Sequence, residues 1–283
     1  MDKIGSITSV QNPHVKAVCL LQQKSAQRRK EGLFVVEGRR ELMHCMQHGY
    51  EVSEIYVCPE ILYAADTKLR SSKGEEARRI EALIADRPTY GVSVQVYDKM
   101  AYRGGTEGII AVVRQKSHAL DSLGRDCDNP LYVVIEGVEK PGNLGAILRT
   151  ADAAGVDGVI VCDPHVDVYN PNLIRSSMGA VFSTDIAVCT SAECISMLKE
   201  RGIKILTAQL QDSRLYYDTD MTCPTAIVMG TEDTGLTPQW REAAEAHIRI
   251  PMLGAMDSLN VSVSAAILIF EAVRQRNSIL TYK

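Results

Sequence analysis

Three turns in the C-terminal half of the chain carry the residues whose types and spacing could do chemistry. Each turn follows an apolar run typical of a β-strand, and each combines glycine with polar side chains. The turns lie within Leu131–Thr150, Ala226–Leu236 and Ile248–Ser264. Ligands of open α/β sheets bind beyond the carboxyl ends of the strands, where such turns meet. The pattern therefore predicts a small-molecule pocket at one end of a sheet.

The first turn, Pro141-Gly142-Asn143-Leu144-Gly145, leads into a helix that carries Arg149. Asn143 has the side chain of a helix N-cap, and capping is the simpler interpretation of this residue alone. Arg149 lies on an otherwise apolar helix, where burying an unpaired guanidinium would be costly. The sequence leaves open whether Arg149 has a structural partner or serves the pocket.

The second and third turns carry four further candidates. Gly230 would let a ligand approach the backbone closely. Glu232 either orients a ligand or favours the start of the next helix. Ser258 and Asn260 either cap the last helix or bind a ligand. Small polar groups beside Gly254 suit the recognition of a flat, polar molecule.

Several common sites are absent from the sequence. The glycines at 137, 142 and 145 do not have the dinucleotide spacing GxGxxG, and no Walker lysine motif occurs. His44 and His48 have a metal-ligand spacing, but no third ligand stands out, so no metal site is predicted. The eight cysteines are scattered and include no CxxC pair, which indicates reduced thiols rather than disulfides.

Length and composition indicate a soluble globular protein. The chain has 283 residues, of which 46% are hydrophobic, enough for one large or two ordinary domains. No apolar run reaches the roughly 18 residues of a membrane span, and the start lacks a secretory signal, so we expect a cytoplasmic protein without membrane association. The net charge of −4 argues against a uniformly basic nucleic-acid binder. Residues 1–40 nevertheless carry eight Lys/Arg against three acids, which suits either phosphate contacts or a solvated helical face.

Periodicity divides the chain into two α/β modules, 1–116 and 131–283, joined by a polar linker, 117–130. In the first module, the pattern predicts helices Pro13–Gln23, Arg39–His48 and Gly74–Ala85 and strands Leu33–Val36, Val52–Val57, Val92–Tyr97 and Gly108–Val113. In the second, it predicts strands Leu131–Ile135, Gly158–Cys162, Lys204–Thr207, Thr225–Met229 and His247–Ile250 and helices Asn143–Ala154, Pro171–Met178, Ala192–Arg201, Pro238–Glu245 and Val261–Arg276. Nearly continuous apolar strands predict a parallel sheet covered on both faces.

Together the three turns resemble the SpoU/TrmH family of RNA ribose 2′-O-methyltransferases, within the trefoil-knotted SPOUT methyltransferases. The matching residues are Asn143, Gly145, Arg149, Gly230, Glu232, Gly235, Ile250, Pro251, Ser258, Leu259, Asn260, Ser262 and Ala265. The segment Ile174–Ala180 is also similar to a family segment. Ile7–Pro13 and Phe34–Arg39 resemble the family's ribosomal-protein-like RNA-binding domain. Lys140 departs from the pattern, since many members carry an acid before the proline.

The resemblance implies a knotted C-terminal methyltransferase domain that binds S-adenosylmethionine and needs no metal. It implies catalytic roles for Asn143, Arg149, Glu232, Ser258 and Asn260, and cofactor contacts for Thr207, Gly230, Ile250, Met252 and Leu259. It implies RNA contacts for Arg28, Arg29, Lys30 and Arg39. The expected assembly is a homodimer, and the last helix offers an apolar surface for it, although a helix packed in the core would have the same pattern.

Ribosomal RNA is the expected substrate. A transfer-RNA methyltransferase and a non-catalytic RNA-binding or ribosome-assembly protein on the same fold are the alternatives. A Rossmann-type oxidoreductase is disfavoured by the missing dinucleotide fingerprint.

Overall fold

The computed structural model describes residues 3–64, 82, 84–102, 104, 107–124, 127–231 and 233–277. Contacts divide the chain into two compact units. One comprises Met1–Lys116 with Val168–Phe182, and the other Ser117–Asp167 with Ser183–Lys283. The segment expected to be a linker, 117–130, thus groups with the second unit, and Leu123 is buried in that unit's core. The chain leaves the second unit at residue 168 and returns to it at residue 183.

The first unit is built on a five-stranded mixed sheet. Its strands are β1 Lys3–Ile7, β2 Leu33–Glu37, β3 Val52–Val57, β4 Thr89–Val92 and β5 Ile109–Arg114. Their order is β1-β4-β3-β5-β2; β5 runs antiparallel to β3 and β2, whereas the other pairs are parallel. The described helices in this stretch are α1 Pro13–Gln23, α2 Ser25–Glu31, α3 Arg39–Gln47, α4 Pro59–Ala64 and α5 Val94–Met100.

The predicted strand Val92–Tyr97 is wrong, because most of this stretch begins helix α5. Ser93 caps the helix, its Oγ accepting a hydrogen bond from the Val96 backbone at 3.4 Å. Val96, Tyr97 and Met100 are fully buried, and this spacing places them on one face of a helix. The alternating valines suggested a strand, but the Ser93 cap and the helical spacing of the buried side chains make this stretch a helix. The predicted helix 74–85 lies almost entirely outside the described residues.

Aromatic packing within the first unit holds the segment Val168–Phe182. The Tyr169 ring stacks on Phe34 with centroids 4.2 Å apart, and Phe182 meets Tyr50 edge-on at 5.2 Å. Lys116 Nζ lies 4.4 Å from the centre of the Tyr50 ring. Burial raises the pKa of the Tyr50 hydroxyl to about 12, so this ring stays neutral at neutral pH. Aromatic pairs contribute about 0.5–1.5 kcal/mol beyond their buried area, so the segment is well anchored here.

The second unit is built on a seven-stranded, all-parallel sheet. Its strands are β6 Leu131–Glu136, β7 Gly158–Cys162, β8 Ile186–Cys189, β9 Lys204–Ala208, β10 Arg214–Leu215, β11 Thr225–Met229 and β12 Ala246–Arg249, in the order β10-β12-β9-β11-β6-β7-β8. The helices from residue 131 onward are α6 Pro141–Ala154, α7 Pro171–Ser176, α8 Ala180–Ser183, α9 Ser191–Glu200, α10 Pro238–Ala243 and α11 Val261–Asn277. Of these, α7 belongs to the first unit.

Strands β6, β7 and β11 are buried along their whole length, as expected of parallel strands covered on both faces. The predicted α/β class with a parallel sheet is confirmed, whereas the knot itself stays a prediction. Among the described residues, no helix is both long and apolar enough to cross a membrane.

Candidate functional site

The three turns identified from the sequence follow strands that lie side by side. Strands β12, β9, β11 and β6 are consecutive in the sheet and parallel, so their carboxyl ends share one edge. The first turn follows β6, the second follows β11 and the third follows β12. The loop after β9, beginning at Gln209, joins them at this edge. The topology therefore places the described polar residues of the three turns, and Gln209, at one end of the sheet.

Asn143 is not a helix cap, so the capping interpretation of this residue is wrong. Helix α6 begins at Pro141, its N-cap is Lys140, and Asn143 is the third helical residue. Proline suits the first helical position, where its missing N–H would have no partner. Asn143 Oδ1 instead accepts a hydrogen bond from Asn260 Nδ2 at 3.2 Å. This contact brings the first and third turns together.

Asn260 caps the last helix and contacts the first turn at the same time. Its Oδ1 accepts hydrogen bonds from the Ser262 backbone N–H at 3.0 Å and from Ser262 Oγ at 2.6 Å. Its amide nitrogen is thereby directed to Asn143. Ser258 is exposed, and its Oγ lies 3.4 Å from Asp257 Oδ1. Asn260 therefore both caps helix α11 and links the third turn to the first.

Arg149 is exposed on α6, so the premise that its charge is buried is wrong. Within the described ranges, Arg149 makes no hydrogen bond or ion pair. Six residues of helix separate it from Asn143, which is about 9 Å along the helix axis. The structure thus brings Asn143 to Asn260 and leaves Arg149 further along the helix. Glu232 lies outside the described residues.

Two small cavities open at this edge of the second unit. One, of about 120 Å³, is lined by Asn143, Gly230 and Val261 among others. The other, of about 140 Å³, is lined by residues that include Ala208, Gln209, Ile248, Ile250, Met252, Ser258, Leu259 and Leu268. Four of the five predicted cofactor residues, namely Gly230, Ile250, Met252 and Leu259, therefore line one cavity or the other. Pockets for small molecules usually measure about 300–1,000 Å³, so each cavity suits one part of a ligand.

Thr207 lines neither cavity, and its predicted cofactor contact is not supported. Its side chain is fully buried, and its Oγ1 lies 2.6 Å from His247 Nδ1 on the neighbouring strand β12. The two residues are in register across the β9–β12 pair. The hydroxyl of Thr207 is thus occupied in joining two strands.

Gln209 is a candidate ligand residue that the sequence analysis missed. Its Oε1 is buried without a hydrogen-bond partner among the described residues. Its Nε2 donates to the Gln211 carbonyl at 2.9 Å, which fixes the orientation of the amide. A buried acceptor without a partner costs about 1–3 kcal/mol unless a ligand supplies a donor. An apolar slot edged by this acceptor suits a flat ring that carries a hydrogen-bond donor.

Glu136 organises the second turn and was also missed by sequence reasoning. It is the last residue of β6 and only 4% exposed. Its carboxylate accepts hydrogen bonds from Thr237 N at 2.8 Å, Thr237 Oγ1 at 2.6 Å and Ser191 Oγ at 3.1 Å. Trp240 Nε1 in turn donates to Ser191 Oγ at 2.9 Å. The carboxylate therefore ties the end of the second turn to β6 and to α9.

Gly230 is required by the close approach of the backbone within the second turn. A Cβ at this position would lie 2.3 Å from the carbonyl carbon and oxygen of Gly235. We expect Gly230→Ala to lower the free energy of unfolding by about 1–3 kcal/mol, because the backbone must shift to admit the methyl group. Urea denaturation measures the effect. Gly254→Ala is the matched control, since its Cβ would meet nothing within 4 Å. Equal stabilities of the two variants would contradict the prediction.

Two of the four predicted RNA contacts are wrong, because their side chains are structural. Arg28 is 2% exposed, and its guanidinium donates to the carbonyls of Leu21 at 2.6 Å and Gln22 at 3.1 Å. Arg39 is 3% exposed and donates to the backbone carbonyls of Leu62 and Glu107. Arg29 and Lys30 are exposed on α2 and stay candidates for RNA contact.

The fold and the site define a two-unit α/β protein whose parallel sheet carries a ligand-binding edge. Residues 130–270 match the SpoU rRNA Methylase family, and residues 12–111 match the MRM3-like substrate binding domain. The chain is 38% identical over 217 residues to the 23S rRNA (guanosine-2′-O-)-methyltransferase RlmB of Shewanella oneidensis, covering 73% of this chain and 88% of that protein. This protein belongs to the SpoU rRNA methylase family.

Solved structures agree with this assignment. The crystal structure of an RNA 2′-O ribose methyltransferase matches with a TM-score of 0.80 and 36% identity, over 96% of this chain and 99% of that one. The SpoU methyltransferase AviRb from Streptomyces viridochromogenes, in complex with the cofactor AdoMet, matches with a TM-score of 0.82 and 27% identity, over 95% and 99%. The predicted family is confirmed.

Proposed function

We propose that this protein transfers the methyl group of S-adenosylmethionine to the 2′-hydroxyl of a ribose in ribosomal RNA. The observation that carries the proposal is the hydrogen bond from Asn260 to Asn143, which joins the first and third turns beside Gly230. The relative from Shewanella oneidensis acts on guanosine in 23S rRNA, and we propose the same class of nucleotide here.

The loops after β9 and β12 are proposed to hold the cosubstrate. Ile250, Met252 and Leu259 offer an apolar slot for the adenine, and Gln209 Oε1 accepts a hydrogen bond from its amino group. When bound, S-adenosylmethionine supplies a methyl group already activated by its sulfonium. The chain therefore has to align the acceptor hydroxyl, and alignment alone is worth about 7–11 kcal/mol of the barrier.

Arg149 is proposed to hold the RNA at the acceptor ribose. A guanidinium remains protonated in proteins, which makes it a poor base but a good bidentate partner for phosphate. Its exposed position on α6 leaves it accessible to a nucleic acid. Asn143, Asn260 and Ser258 are proposed to surround the reacting hydroxyl, and Glu232 is proposed to complete the site.

The proposed active form is a homodimer with a knotted methyltransferase domain. Helix α11 leaves Val263 47% exposed and Phe270 48% exposed, which supports an interface with a second copy. The separation of Arg149 from Asn143 along α6 also favours a site completed by a partner. Residues 1–116 are proposed to bind the RNA. The cytoplasmic location stays a prediction.

The test is a transfer assay with radiolabelled S-adenosylmethionine and ribosomal RNA from cells that lack this protein. We expect label in a single nucleotide whose 3′ linkage resists alkaline hydrolysis, because hydrolysis needs an unmodified 2′-hydroxyl. A matched oligonucleotide with deoxyribose at the target should accept no label. RNA binding without any transfer would instead identify a non-catalytic RNA-binding protein.

The two exposed basic residues of α2 provide a test of the RNA-binding surface. Arg29→Gln combined with Lys30→Gln should weaken RNA binding and flatten its dependence on salt. Each lost phosphate contact lowers the slope of log K against log salt by about 0.7 for single-stranded RNA. Filter binding between low and moderate salt measures this slope. Lys199→Gln, exposed on α9 in the second unit, is the control. An unchanged slope in the double variant would remove α2 from the RNA surface.

A further inference from the structure

Three cysteine side chains converge within the second unit, at the ends of two strands that carry none of the three turns. Cys162 ends β7, Cys189 ends β8, and Cys194 is the fourth residue of α9. Their sulfur atoms all lie within 4.8 Å of one another, and the Cys162 and Cys189 sulfurs are 4.0 Å apart. Cys162 and Cys194 are fully buried, whereas Cys189 is partly exposed. The cluster has the composition of a thiolate metal site that solvent reaches from one side.

The charges around the cluster favour a cation. Asp163 follows Cys162 directly, and its carboxylate accepts a hydrogen bond from the Ser191 backbone at 3.0 Å. Glu193 precedes Cys194 and forms a capping box with Thr190 at the start of α9. If the three cysteines were deprotonated, their thiolates would repel one another and the carboxylates of Asp163 and Glu193. A bound cation would offset this repulsion.

We propose that Cys162, Cys189 and Cys194 form a binding site for a thiophilic divalent cation of the zinc class. Tetrahedral zinc with Zn–S bonds of about 2.3 Å places its sulfurs about 3.8 Å apart, so the cluster has to contract by at most about 1 Å. Thiolate ligands select zinc or copper(I) over hard cations. A divalent ion fits better here than a monovalent one. With three thiolates, the complex of a divalent ion has a net charge of −1, whereas that of a monovalent ion has a net charge of −2.

Binding exchanges protons for the metal. Each of the three thiols loses its proton to solvent and forms one metal–sulfur bond, so one cation enters and three protons leave without any change of oxidation state. A water molecule on the exposed side of Cys189 would complete a tetrahedron. The site would link β7, β8 and the first turn of α9, where Ser191 hydrogen-bonds Glu136.

Cobalt(II) titration of the reduced, untagged full-length protein without oxygen tests this site. We expect one equivalent of cobalt to produce a thiolate-to-cobalt charge-transfer band and the visible bands of tetrahedral cobalt. Added zinc should displace the cobalt and abolish these bands. Cys189→Ser, at the partly exposed position, should weaken cobalt binding by at least about 100-fold, since loss of a direct ligand exceeds the 10–100-fold cost of losing its supporting partners.

Cys194→Ala is a second ligand variant, and circular dichroism checks that both variants fold. Cys58→Ser is the matched control, because Cys58 is fully buried in the first unit outside the cluster. Cobalt binding that lacks the charge-transfer band would overturn the proposal. So would equal affinity in all variants, or a Cys162–Cys189 disulfide persisting in reducing buffer.

Discussion

Replacing Arg149 with lysine should lower the rate of methyl transfer by at least about 100-fold, although the positive charge is kept. Lysine loses the planar fork that binds two phosphate oxygens at once, so the RNA would be held less accurately at the reacting ribose. Because Arg149 is exposed, the substitution disturbs no buried packing, and stability should not change. Single-turnover rates with radiolabelled S-adenosylmethionine and saturating RNA measure the effect.

Arg241→Lys provides the control for this experiment, since Arg241 is also exposed on a helix of the second unit, α10. Its transfer rate should equal that of the unmodified protein. If Arg149 acts by holding phosphate, its variant should also bind RNA more weakly. A rate close to that of the unmodified protein for Arg149→Lys would show that the proposed catalytic role is wrong.

Replacing Glu136 with alanine should destabilise the second unit by about 3 kcal/mol, the upper end of the contribution of hydrogen bonds to a charged group. The substitution removes the acceptor of three donors, Thr237 N, Thr237 Oγ1 and Ser191 Oγ, and Ser191 is only 1% exposed, so its hydroxyl loses a buried partner. It also releases the end of the second turn, so binding of S-adenosylmethionine should weaken as well. Urea denaturation and calorimetry measure the two effects.

Glu139→Ala is the matched control, because Glu139 is exposed three residues further along the chain. Its stability should stay within about 0.5 kcal/mol of the unmodified protein. Equal losses in the two variants would mean that the Glu136 hydrogen bonds contribute nothing to the second turn.

The sheet of the second unit was largely predictable, since its central strands are continuous apolar runs. Strands 158–162 and 225–229 have the predicted boundaries, because a strand buried on both faces leaves a simple pattern. The first unit was harder. Its helix at 94–100 carries valines that alternate locally, and the helical spacing becomes clear only when Tyr97 and Met100 are included.

The site residues show what sequence reasoning could not determine. Arg28 and Arg39 looked like phosphate contacts, but their partners are backbone carbonyls, which no side-chain pattern reveals. Thr207 was assigned to the pocket, although a histidine 40 residues away on an adjacent strand holds its hydroxyl. The closeness of Cys162 and Cys189 could likewise be predicted only from the order and register of β7 and β8. The turns themselves were predictable, because their glycines and polar residues follow each strand directly.

The excursion of residues 168–182 bears on how this protein could be recombined with its relatives. These fifteen residues pack in the first unit, with Tyr169 on Phe34, while the chain on either side belongs to the second. If only residues 1–116 were replaced by those of a relative, the new residues would have to pack against this chain's own segment 168–182. They would lack the segment with which they pack in the relative. Grafting a new recognition unit onto this enzyme therefore requires transplanting two separate stretches of sequence together.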